Sequence, residues 1–218
     1  MDTDQNLRQK PEQGIFLNGD EYSGLDEFPE VYRPYFDKIM VPKSVIQDRV
    51  REMGQEIRAY FGDNPITCLV VLKGGFVFAN DLAQHLDSPT TPNPYQLEFI
   101  KVKSYHNDTK GENVITGLDI NTLKDKHVLI LDDIFDSGGT IQSIYDILES
   151  VPLADLKTAC FVLKRREISV RVRPDFVGVS IPNAWIAGYG MDHNEYLRNV
   201  QSIGVMSDYG KTELGDDS

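Results

Sequence analysis

A chain of 218 residues with 40% hydrophobic side chains can hold one α/β domain with a full core. No apolar run approaches the ~20 residues of a membrane-spanning helix, and Met1-Asp2-Thr3-Asp4-Gln5-Asn6 has no signal-peptide core, so a cytoplasmic protein with no membrane partner is expected. The net charge of −12 opposes nucleic-acid binding, which depends on Lys and Arg neutralising phosphates.

Residues 1–37 are polar, with Pro11, Pro29 and Pro34, and residues 1–14 are expected to be a disordered tail. Ser44 has the form of an N-cap with Gln47 three residues on. Ile46, Val50, Met53, Ile57 and Tyr60 then mark one helical face, which Gly62-Asp63-Asn64-Pro65 stops. Thr67 to Leu72 reads as an apolar strand and Phe76 to Leu86 as a helix. Between them lies Leu72-Lys73-Gly74-Gly75-Phe76. Two glycines let backbone approach an anion and Lys73 adds charge, although Gly-Gly turns are also ordinary connections.

Residues 87–96 carry Pro89, Pro92 and Pro94 and form a loop. Leu97 to Val102 is a further strand. Residues 103–123 read as a long polar loop. Such a loop is functional or disordered, and Ser104 and Tyr105 at its neck suit a lid. Cys68 and Cys160 lie inside strand-like runs and read as buried, inert thiols. His85, His106, His127 and His193 lack zinc-ligand spacing.

The most informative stretch runs from Val128 to Thr140. Val128-Leu129-Ile130-Leu131 reads as a buried strand with Asp132 and Asp133 at its carboxyl end. Asp136 follows, then Ser137-Gly138-Gly139-Thr140. Ile141, Ile144, Tyr145 and Leu148 share one face of the next helix. A strand, turn and helix N-terminus in this order is where an open α/β sheet binds phosphate. Carboxylates beside it indicate Mg²⁺ or sugar hydroxyls. The glycine spacing and Lys-Ser/Thr ending of an ATP-binding P-loop are absent.

Thr158 to Leu163 and Phe176 to Ser180 are the last strands of the core. Lys164 ends the first of them, within the basic run Lys164-Arg165-Arg166. Residues 182–198 hold the single tryptophan, Trp185, which can stack on a planar base or sit in a core. Asp192 and Arg198 can hold a metal and a phosphate, or form a surface ion pair. Strands separated by helices indicate a doubly wound, mainly parallel sheet.

The Asp132-to-Thr140 pattern resembles the phosphoribosyl-pyrophosphate loop of type I phosphoribosyltransferases. With Leu72-Lys73-Gly74-Gly75, Lys103-Ser104-Tyr105, Lys164-Arg165, Arg173-Pro174-Asp175-Phe176-Val177-Gly178 and Gly188-Tyr189-Gly190-Met191-Asp192-His193-Asn194-Glu195-Tyr196-Leu197-Arg198, the order is similar to that of hypoxanthine-guanine phosphoribosyltransferases. The resemblance implies one domain over residues 15–210, with a core over about 40–180, a small hood from about 15–40 and 181–210, and a flexible tail over 211–218. It implies transfer of phosphoribose from phosphoribosyl pyrophosphate to hypoxanthine and/or guanine, with Mg²⁺, by a homodimer or homotetramer.

The resemblance also implies residue roles. Lys73, Gly74 and Arg198 would bind pyrophosphate, with a cis bond before Lys73. Asp132 and Asp133 would hold the ribose hydroxyls and support Mg²⁺. Asp136 would be the general base, and Ser137, Gly138, Gly139 and Thr140 would take the 5′-phosphate. Lys164, Trp185, Ile186 and Asp192 would meet the base, Asp192 also binding Mg²⁺. Ser104 and Tyr105 would close over the site. Gly139, Ala184 and Ile168 depart from the basic residues that relatives often carry at those places. The alternative is a catalytically weak nucleotide-binding paralogue, against which Asp136 stands.

Overall fold

The computed structural model describes residues 14–105 and 112–215. Apart from Gly14, the expected tail over residues 1–14 lies outside the described residues, as does His106. Their elements, in chain order, are β1 (Ile15–Phe16), β2 (Phe36–Val41), α1 (Lys43–Phe61), β3 (Ile66–Val71), α2 (Gly75–Ala83), β4 (Tyr95–Tyr105) and β5 (Glu112–Thr116). There follow β6 (His127–Phe135), α3 (Gly139–Leu148), β7 (Asp155–Arg165), β8 (Phe176–Pro182), β9 (Ile186–Ala187), β10 (Ile203–Met206) and α4 (Asp208–Glu213).

Seven strands form one sheet in the order β1-β8-β7-β6-β3-β4-β5, parallel throughout except for the antiparallel edge strand β5. The central strands are buried on both faces, which is why they read as unbroken apolar runs. Cys68 and Val70 of β3 and Leu129 and Leu131 of β6 join Val50, Met53 and Ile57 of α1 and Phe78 and Leu82 of α2 in one core. Leu69 and Val71, with Val128 and Ile130, join Ile141, Ile144 and Leu148 of α3 in the other. Helices therefore cover both faces of a doubly wound sheet. No helix among the described residues is long and apolar enough to cross a membrane.

A second, antiparallel sheet runs β2-β10-β9. Its own small core contains Phe28, Phe36, Ala187, Leu197 and Met206, with Phe28 stacked on Phe36 at 4.3 Å.

Several boundaries differ from the sequence reading. The N-cap of α1 is Pro42, not Ser44, and it offers no side-chain bond. The free N–H of Lys43 instead donates to Glu27 Oε2 and Ser202 Oγ, each at 3.1 Å, so partners distant in sequence replace a local cap. Part of the expected loop over 103–123 is strand, because β4 continues to Tyr105 and pairs with β5 from Lys101↔Thr116 to Tyr105↔Glu112. β5 lies at the sheet edge, where only Val114, Ile115 and Thr116 supply a β signal. Residues 211–213 belong to α4 and not to a tail. Ser207 caps that helix by accepting from Gly210 N, and its hydroxyl donates to Pro34 O at 2.7 Å.

Close approach fixes a glycine inside α1. A Cβ at Gly54 would lie 2.8 Å from the carbonyl oxygen of His85 and even nearer its Cβ. Gly54→Ala is expected to cost ~1–3 kcal/mol of stability through overpacking, measured by urea unfolding. Gly139→Ala serves as the control, because its Cβ would meet only Ser137 Oγ at 3.6 Å.

Candidate active site

The turns that follow β3 and β6 meet at the carboxyl edge of the sheet. After β3 the chain passes through a cis peptide between Leu72 and Lys73 and enters α2 at Gly75. Gly74 has an ordinary helical φ of −57°, so its role is room and not conformational freedom. A Cβ there would run into the Asp133 carboxylate, 2.5 Å from its Cγ. At Gly75 a Cβ would sit 2.9 Å from Leu131 O. The pyrophosphate-type turn and the acidic strand end thus touch backbone to carboxylate.

β6 runs past the acidic pair to Phe135, so Asp132 and Asp133 lie within the strand and are both buried. Burial, reinforced by the charge of Asp133, pushes the Asp132 carboxyl well above its usual range. Burial also raises Asp133, although the Asp132 hydrogen bond, backbone N–H groups and the Arg198 charge oppose it. Gly138 takes the left-handed φ of 78° that turns the chain into α3.

Asp136 is bracketed by two cations. Lys164 Nζ lies 2.9 Å from its Oδ2, and Arg166 Nη1 lies 2.7 Å from its Oδ1. Burial pushes the Asp136 carboxyl up, but the hydrogen bonds and charges of Lys164 and Arg166 outweigh it and hold the group below its usual range. Sequence reading assigned Lys164 a role and left Arg166 inside a basic run. Strand alternation was the available signal: residues 164 and 166 share a face, while Arg165 points the other way and donates to Ser180 O and Leu17 O, each at 2.6 Å.

The segment after β9 closes the other side. Trp185 is 48% exposed, which removes the core alternative, and Ile186 beside it is buried. Arg198 Nη2 pairs with Asp192 Oδ1 at 2.8 Å and with Glu195 Oε2 at 3.1 Å. The other carboxylate oxygen of Glu195 lies 2.8 Å from Lys73 Nζ. Lys73, and then Arg198, hold the Glu195 carboxyl below its usual range. Nothing in the sequence marked Glu195 as the link between these cations. Tyr189, buried beneath the loop, donates to Asp81 Oδ2 of α2 at 3.0 Å. Gly190 abuts the carbonyl of Gly74 so closely that no Cβ fits.

Lys73, Gly74, Asp132, Asp133, Asp136 to Thr140, Lys164, Trp185, Ile186, Asp192 and Arg198 all line one cavity of about 420 Å³, a size suited to a small ligand. The sequence assigns a lid role to Ser104 and Tyr105. Their backbone sits on β4, opposite Asn113 and Glu112, and their side chains lie outside the described ones, as do Asn107 and Asp108 beyond them.

Residues 43–194 match the phosphoribosyl transferase domain family. The hypoxanthine-guanine phosphoribosyltransferase of Cricetulus griseus is 38% identical over 197 residues, covering 87% of this chain and 90% of the relative. That of Homo sapiens is 34% identical over 209 residues, covering 92% and 96%. The solved structure of the Schistosoma mansoni hypoxanthine-guanine phosphoribosyltransferase in complex with IMP superposes with a TM-score of 0.75 at 27% identity, covering 92% of this chain and 98% of that one. Similarity of this extent over both the sheet and the loops that form the cavity makes the chain a member of the hypoxanthine-guanine phosphoribosyltransferase family.

Proposed function

We propose that the chain transfers the phosphoribosyl group of phosphoribosyl pyrophosphate to hypoxanthine or guanine, giving IMP or GMP and pyrophosphate. The convergence of two phosphate-type turns, a carboxylate held between cations and an exposed indole in one cavity carries this reading. The names of the relatives, and the IMP in the Schistosoma structure, support the choice of base.

In this proposal the first turn of α3, with Ser137, Gly138, Gly139 and Thr140, holds the 5′-phosphate on its free N–H groups. Asp132 and Asp133 accept from the ribose hydroxyls. Lys73, Gly74 and Arg198 take the pyrophosphate, whose oxygens replace the carboxylate of Glu195 on both cations. Lys164 donates to the six-position oxygen of the purine, which disfavours adenine. Trp185 stacks on the ring and the backbone of Ile186 reads its edge. Once Lys164 turns to the purine, Asp136 keeps one cationic partner instead of two. It then becomes more basic as it takes the proton from the attacking nitrogen. Ser104 and Tyr105 are proposed as the lid, and the β2-β10-β9 sheet as the hood that carries the base contacts.

Among the described residues no three carboxylate, histidine or cysteine side chains converge as a metal cage. The carboxylates that line the cavity, Asp132, Asp133 and Asp192, suit Mg²⁺, which is held by one or two carboxylates together with substrate oxygens. Asp192 would hold it directly, Asp132 and Asp133 would support it from the ribose side of the cavity, and it would supply positive charge to offset that developing on the leaving pyrophosphate. We further propose a cytoplasmic homodimer or homotetramer.

Asp136→Asn is expected to lower kcat by ~10²-fold or more while leaving phosphoribosyl pyrophosphate affinity nearly unchanged. Steady-state kinetics with both substrates varied checks this, and near-normal turnover would reduce Asp136 to a turn residue. Chelating Mg²⁺ is expected to abolish turnover, and full activity in excess chelator at neutral pH would contradict the roles of Asp132, Asp133 and Asp192.

A pH dependence follows from the lowered Asp136. The working form of Asp136 is the carboxylate, so its own contribution is lost only as pH falls below the ordinary aspartate value of ~3.9. Arg166→Ala removes one of the two cations that favour the charged form. Its acidic limb should move to higher pH, so the ratio of mutant to wild-type kcat/KM should fall between pH 6 and pH 4. A constant ratio would show that Arg166 does not tune the base.

A further inference from the structure

Trp185 faces the cavity with half its surface in solvent, yet its ring is tied from behind. The indole Nε1–H donates to Nδ1 of His193 at 3.3 Å, and the two rings meet edge to face at 5.7 Å and 84°. His193 is 2% exposed. Its other ring nitrogen lies 3.1 Å from the carbonyl oxygen of Lys211, inside α4. An indole N–H can only donate and a carbonyl can only accept. Nδ1 therefore accepts from the indole, while Nε2 faces the Lys211 carbonyl. A second bond in parallel, Asn194 Nδ2 to Leu214 O at 2.8 Å, ties the same loop to the end of that helix. α4 itself is anchored through Ser207 to Pro34. A continuous chain of contacts thus runs from the C-terminal helix through His193 to the indole in the cavity.

We propose that His193 is a positioning residue for base recognition: it fixes the plane of the Trp185 indole before the purine arrives, with α4 as the fixed point. This rests on the stacking role given to Trp185 above. The physical reason is preorganisation. A half-exposed side chain left free to rotate must be ordered when the ligand binds, and that cost is subtracted from affinity. The two ring contacts of His193 described here go to Trp185 and to Lys211, so the effect of its side chain should fall on the base.

The two ring nitrogens can be separated by substitution. His193→Asn leaves an oxygen near the place of Nδ1 to accept from Trp185, but does not reach Lys211. His193→Gln reaches Lys211 but offers no acceptor to the indole. We expect His193→Gln to raise KM for hypoxanthine about 3- to 10-fold, the worth of ordering one side chain. Its kcat and its KM for phosphoribosyl pyrophosphate should stay within about twofold. The emission of ligand-free Trp185, the only tryptophan, should shift in the same variant. His193→Asn should recover most of both properties. Equal impairment by Asn and Gln, or unfolding of both in a thermal melt, would assign His193 to packing and overturn the proposal. So would a Gln variant with wild-type base KM and emission. Trp185→Ala separates this failure from that of the stacking reading. If it leaves base KM unchanged, the base sits elsewhere and both ideas fall. If it raises KM while His193→Gln does not, only the role of His193 falls.

Discussion

Asp132 and Asp133 sit side by side on a strand that is hydrogen-bonded on both flanks, with their carboxylates almost wholly withdrawn from water. Burying one such charge is costly, and two in sequence repel each other as well. Each resists ionisation because of that burial. The surroundings follow from this constraint. Asp133 lies so near the β3 turn that only glycine fits at position 74. Arg198 lends its field from the far side of the cavity. Partners that answer such a pair are hydroxyl donors and a hard cation, which are what a ribose and a metal-bound polyphosphate bring. In the proposed reaction the acidic strand end, costly to bury by itself, would be stabilised by ribose and metal.

The cations show the complementary arrangement. Lys73, Lys164, Arg166 and Arg198 each hold a carboxylate of the same chain. In a protein of net charge −12 this avoids leaving positive groups unmatched, and in the proposed reaction it would make pyrophosphate binding at Lys73 and Arg198 an exchange of one anion for another. Because most of these pairs are partly exposed, the contacts given up are individually weak. The close fit of Gly190 on Gly74 and the Tyr189–Asp81 bond join the loop carrying Arg198 to the turn carrying Lys73, so both cations keep one spacing.

The parts of this arrangement written in adjacent residues were legible in the sequence. β3, β6 and β7 are apolar because both their faces are buried, and the small residues after β3 and β6 mark turns where backbone must come close. What escaped depends on distance along the chain. β1, β9 and β10 are short, and β10 pairs with β2 some 165 positions earlier. β5 is an edge strand without an apolar run, so it read as loop. The cap of α1 comes from Glu27 and Ser202 and not from the neighbouring Ser44. Arg166 and Glu195 stood inside recognised motifs, but their partners are set by strand alternation and by a loop with four left-handed non-glycine residues, Tyr189, Asn194, Glu195 and Leu197.

Both cysteines lie in the strands that carry this chemistry. Cys160 is paired in register with Asp132, and Cys68 lies on β3 opposite Leu129. Burial, with the neighbouring carboxylates, pushes the Cys160 thiol up; burial takes Cys68 to about 12. Thiolate is the reactive form, so neither sulfur is available to an alkylating reagent while the sheet is closed. The surface of the folded chain is in effect free of reactive thiol. A single cysteine placed on an exposed loop could be labelled with a dye without removing the native pair. Conversely, the time at which Cys160 begins to react in the unmodified protein is a clock for the opening of the strand beneath the acidic pair.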